Sequence, residues 1–80
     1  MEYKSTRTMA NDIRIELDKC ISRSISRQKL TEFMREVLMN DQNKKKLFKA
    51  KGLSSTVETV LGKDRLGLFK EILLELGYDL

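Results

Sequence analysis

KAKGLSSTVETVLGKDR, residues 49–65, decides how the chain folds. Gly52, after a run of lysines, reads as the left-handed residue that ends a helix. Ser55-Thr56-Val57-Glu58 has the form of a capping box, with Ser55 as N-cap and Glu58 three residues on. The helix it opens, TVETVL, is short and is stopped by Gly62. Asp64 is placed to cap the next. The stretch therefore predicts a helix, a glycine turn, a stubby helix and a second break. That layout suits a helix-turn-helix, and equally a helical hairpin inside a small core.

Downstream, RLGLFKEILLEL carries one seam of Leu66, Phe69, Leu73 and Leu76, which Leu68, Ile72 and Leu74 widen past half the circumference. A helix so apolar is either central or shared with a second subunit, so Leu66, Phe69, Leu73 and Leu76 are the expected dimer interface. Gly77 ends it. Upstream, Asp41 is expected to cap a helix over 42–51, with Leu47 and Phe48 inward and lysines toward its C-terminal end, where the helix dipole favours cations. Before that, Leu30, Phe33, Met34, Val37 and Leu38 form a tight helical stripe behind Ser26, a suitable N-cap.

Farthest upstream, Met9, Ile13, Leu17, Cys20, Ile21 and Ile25 fall at helical spacing. Within them DIRIELD alternates at the strand period, which would suit the ribbon of a ribbon-helix-helix protein. Too little chain separates that ribbon from the next helix, and the helical pattern runs longer. Residues 1–8 show no period and are expected to form a flexible tail. The expected fold is all-α: one domain over 9–80, a compact bundle of about five short helices at 9–25, 27–40, 42–51, 55–61 and 64–76.

Eighty residues bury a modest core, so oligomerisation is expected. Proline is absent, which suits helices. No strictly apolar run exceeds three residues, and nothing resembles a signal peptide, so a soluble, cytoplasmic protein without membrane contact is expected. Cys20 is the only cysteine and there is no histidine. The chain thus lacks the commonest general base and metal ligand, and the remaining carboxylates, lysines and tyrosines form no recognisable catalytic arrangement. Neither enzymatic activity nor a cofactor or metal is expected.

The net charge is +4, concentrated mid-chain: residues 26–52 carry eight basic and three acidic side chains, residues 53–80 three basic and five acidic. The cluster could neutralise nucleic-acid phosphates, or simply be a solvated face. In a helix-turn-helix, Lys44, Lys45, Lys49 and Lys51, with Lys63, would meet phosphates. Gly52-Leu53 would give the turn, Val57, Val60 and Leu61 the inner face, and Ser54, Ser55, Thr56 and Thr59 the outward face. That outward face holds no Arg, Lys, Asn or Gln, the side chains of bidentate base contacts.

From Gly52 onward, GLSSTVETVLGKDRLGLFKEILLELGYDL resembles the second half of helix-turn-helix domains of the Cro and lambda-repressor class. It is similar to small antidote proteins of toxin–antitoxin modules; the resemblance covers about residues 44–80. It implies a DNA-binding transcriptional regulator or antitoxin that meets double-stranded DNA as a homodimer. The competing expectation is a non-enzymatic protein-binding regulator or inhibitor. Its contact surface would be the apolar last helix, or Met34 and Met39 near Phe33.

Overall fold

The computed structural model describes residues 2–50 and 52–79. It is mostly helical, with four helices and one two-stranded antiparallel sheet: α1 Thr6–Ile21, α2 Arg27–Leu38, α3 Asp41–Leu47, β1 Phe48–Lys49, β2 Gly52–Leu53 and α4 Ser55–Glu75. One hydrophobic cluster runs through the molecule, from Tyr3 to Leu73, and α4 packs chiefly along α1.

α1 starts earlier than the apolar period suggests. Ser5 caps it, its Oγ accepting the Thr8 amide at 3.1 Å. Residues 6–8, expected in a loose tail, are helical, and Tyr3 ahead of them is buried in the core. The competition within DIRIELD goes to the helix. Ile13 and Leu17 are fully buried while Ile15 is 45 % exposed, the outcome of a 3.6-residue period and not of a two-residue one. α1 ends at Ile21, before Ile25. Arg23 sits at φ 66, the Ser24 amide donates to Lys19 O and the Arg23 amide to Cys20 O, which together make a Schellman turn.

α2 follows its predicted pattern closely. Ser26 Oγ accepts the Lys29 amide, and Leu30, Met34, Val37 and Leu38 are buried. α3 is capped one residue earlier than expected, by Asn40, whose Oδ1 accepts the Asn43 amide at 3.0 Å; Asp41 is the first helical residue. Asn43 is fully buried. Its Oδ1 accepts the Tyr3 amide at 3.0 Å and its Nδ2 donates to Val37 O at 3.1 Å, so one side chain ties the N-terminal segment to the α2–α3 junction.

The expected 42–51 helix stops at Leu47. Phe48 pairs with Leu53 and Lys49 with Gly52, so a small hairpin replaces the single glycine turn before α4. Gly52 serves that hairpin at φ 119 rather than capping a helix. The N-cap of α4 is Ser54, without a side-chain cap bond, and Ser55 is the first helical residue; the expected Ser55–Glu58 capping box is not formed. Ser54 is instead buried, and its amide donates to Leu47 O at 2.9 Å, closing the hairpin's base.

Four helices stand where five were expected, because α4 spans the last two. Gly62 breaks it with a non-helical backbone (φ 75, ψ 167), so a short arm carrying Val57 and Leu61 leads into a longer one carrying Phe69, Ile72 and Leu73. Arg65 brackets the break: its Nε and Nη2 grip the Asp18 carboxylate at 2.7 and 3.2 Å, and its Nη1 donates to Leu61 O at 3.0 Å. Gly77, at φ 96, ends the longer arm in a second Schellman turn.

Candidate nucleic-acid interface

The lysine cluster spans α3 and β1. Lys45 and Lys49 are exposed; Lys44 and Lys46 are half-buried. Lys49 Nζ reaches back to donate to Lys45 O at 3.3 Å, placing its ammonium over the C-terminal end of α3, where unpaired carbonyls attract cations. Lys44 Nζ lies 5.7 Å from the centre of the Tyr78 ring, and Tyr78 stacks on Phe48 with ring centres 5.1 Å apart and planes 20° from parallel. This stack joins the C-terminal segment to the hairpin. Lys51, also expected to meet phosphate, lies outside the described residues.

Acid–base pairing occurs elsewhere. Arg65 holds Asp18, Arg27 bridges to Glu71 and Glu75 at 3.3 and 2.9 Å, and Lys19 pairs with Glu16 at 3.0 Å. Hydrogen bonding to Arg65 holds the Asp18 carboxyl below its ordinary range. Among the described residues, Lys44, Lys45, Lys46 and Lys49 form no ion pair, so their charge is available to an external anion.

The expected reading face is only partly presented. Ser55 and Thr59 are exposed, Thr56 is half-buried, and Lys63 is exposed just past the Gly62 break. Ser54 is 5 % exposed and turned into the protein, so it is removed from the candidate contacts. Glu58, on the same arm, is exposed. Lys49 occupies a strand and not the backbone-crossing helix.

The expected dimer seam is also corrected. Phe69 and Leu73 are fully buried within the chain's own core, against which the half-buried Leu66 and Leu76 pack. The long apolar helix is central, not shared through that face. Large hydrophobics do reach the surface elsewhere: Met39 at 78 % exposure, Leu74 at 60 %, Ile21 and Ile15. Met39 borders a shallow depression with Arg35, Leu38, Leu76 and Tyr78. Met34, expected to join an adaptable contact surface, is fully buried.

Sequence reasoning missed Tyr3 and Asn43. A buried tyrosine in an aperiodic tail and a buried asparagine in a lysine-rich run carry no periodic signal. The Tyr3 hydroxyl is buried on the side of the Asp12 carboxylate; burial first, then hydrogen bonding and charge from Asp12, push its pKa up to about 12. Among the described residues no group of three or more Cys, Asp or Glu side chains gathers where it could hold a metal, and no helix is long and apolar enough to cross a membrane.

A family model matches residues 1–74. The chain belongs to this family of conserved hypothetical proteins. No curated protein and no solved structure matches it. Nearly the whole described fold of this family member, from Tyr3 to Leu74 of α4, lies within the matched span.

Proposed function

We propose that this protein is a small, non-enzymatic DNA-binding regulator that grips duplex phosphates with the lysines of α3 and β1. One observation carries the reading: Lys44, Lys45, Lys46 and Lys49 are close in the chain, and none pairs with a carboxylate among the described residues. Fixed cations concentrated in this way release condensed counterions from a duplex when they replace them. The short arm of α4, which follows the hairpin along the chain, is the element that would face the groove, through Ser55, Thr56 and Thr59. These hydroxyls are weak discriminators, and Glu58 among them opposes phosphate. Affinity therefore comes mainly from the backbone, with little preference among sequences. An antitoxin role fits the same chemistry, with DNA and a protein partner using different faces.

Fluorescence anisotropy on a mixed-sequence duplex at a series of salt concentrations tests this. Four phosphate contacts give a log–log salt slope of about −3.6. Replacing Lys45 and Lys49 together by Glu abolishes binding, while Thr59→Ala changes it less than about threefold. Binding that is insensitive to salt, or intact in the double variant, rejects the proposal.

One observation favours a second reading, a protein-binding regulator: Met39 stands largely exposed at the rim of the depression floored by Leu38 and Leu76. A stoichiometric protein partner lost on Met39→Glu, with no affinity for duplex, selects it.

A further inference from the structure

Gly67 has no role that the folded chain itself explains. It lies inside α4, where glycine is a poor helix former, yet its backbone is not in the left-handed region and a Cβ placed on it meets nothing within 4 Å. Neither a turn nor a close neighbour in the chain accounts for the missing side chain. Seven residues on, Leu74 is 60 % exposed. Gly67, Lys70, Glu71 and Leu74 recur at helical spacing on one face, opposite the buried Phe69, Ile72 and Leu73, and together with Tyr78 and Asp79 they line a shallow groove.

The order of these residues is self-complementary. The midpoint of the stripe lies between Lys70 and Glu71, and Gly67 and Leu74 are equidistant from it. Two such helices crossing antiparallel on a two-fold axis at that midpoint bring each Leu74 onto the bare backbone of the other Gly67. They also bring each Lys70 beside the other Glu71. Both charges remain exposed; Glu71 shares one oxygen with Arg27 at 3.3 Å and has a second to offer. A two-fold contact needs a patch that fits itself, and this one supplies a knob, a hole and a charge pair of each sign.

We propose that the outer face of α4 is a homodimer interface, with a second copy of this chain as its occupant. Leu74 is the anchor, Gly67 the socket that lets the helices approach, and the Lys70–Glu71 pairs set the antiparallel register. The stripe is short, so the dimer is a weak one that forms and dissociates with concentration. It uses none of the lysines assigned to phosphate contact and does not depend on that assignment.

Sedimentation equilibrium of the full chain, from micromolar to millimolar and under reducing conditions so that Cys20 cannot bridge copies, reads this directly. The wild type shows a reversible monomer–dimer equilibrium. Gly67→Leu and Leu74→Glu each raise the dimer Kd by about tenfold or more, and retained circular dichroism shows that the fold survives. Lys70→Glu and Glu71→Lys each raise it about threefold, and the double variant returns toward the wild type. That recovery requires residue 70 of one copy to meet residue 71 of the other. A monomer throughout the range overturns the proposal, as does a dimer indifferent to Gly67→Leu and Leu74→Glu. Failure of the double variant to recover overturns the antiparallel register.

Discussion

Arg23 holds a left-handed backbone that glycine adopts without penalty, whereas Gly77 fills the equivalent place at the end of α4. Arg23→Gly should therefore raise stability by about 0.5–1 kcal/mol, net of glycine's greater freedom in the unfolded chain, read as an upward shift in thermal midpoint. Asn43 is the opposite case. Asn43→Leu strands the Tyr3 amide and the Val37 carbonyl in the core and should cost about 2–4 kcal/mol in denaturant unfolding. Tyr3 links stability to alkaline pH. Its folded pKa is raised above the unfolded value of 10.0, so its contribution is complete below pH 10 and is lost as pH climbs to about 12. Tyr3→Phe keeps the ring, removes the ionisable hydroxyl and should flatten that alkaline loss. Asp18 acts at the acid end with the reverse sign. Its lowered folded pKa gives stability that is present above the unfolded carboxyl range and lost as pH falls through the folded value, so Asp18→Asn should blunt acid sensitivity.

At the scale of elements, two glycines of α4 should respond oppositely to alanine. Gly62 sits at φ 75 where the helix breaks, and Gly62→Ala should cost about 1–2 kcal/mol. Gly67 is helical and unobstructed, and Gly67→Ala should add about 1 kcal/mol to the monomer. Thermal melts of the two variants at low concentration separate these outcomes. The same comparison indicates what could be read from sequence. α2 was legible because Ser26 caps a stripe with no competing period, and the Gly62 and Gly77 breaks were legible because glycine alone tolerates those angles. The end of α1 was not, since an arginine at a left-handed position carries no such signal. Nor was the hairpin: two residues per strand is too short for alternation, and Phe48 reads as the next inward position of α3. The candidate site was legible as a charge cluster, whereas its neutralisation state depended on where Asp18, Glu71 and Glu75 fold. Apolar density marked Phe69 and Leu73 as buried, without telling core from interface.

For the whole molecule, the proposed function rests on the division of charge. Glu16 pairs with Lys19, Asp18 with Arg65, and Glu71 and Glu75 with Arg27. The lysines of α3 and β1 stand apart from these pairs, on an element held at one end by Asn43 and at the other by the Phe48–Tyr78 stack. The proposed dimer face adjoins this element at Tyr78, and a dimer doubles the lysine clusters per particle, so duplex avidity should rise with protein concentration where one duplex reaches both. The most direct test is the salt dependence of duplex binding by the wild type beside the Lys45→Glu, Lys49→Glu double variant. Steeply salt-sensitive binding that vanishes in the variant, with its fold intact by circular dichroism, is the expected result. Equal binding by both proteins, or no binding by the wild type at low salt, would contradict it.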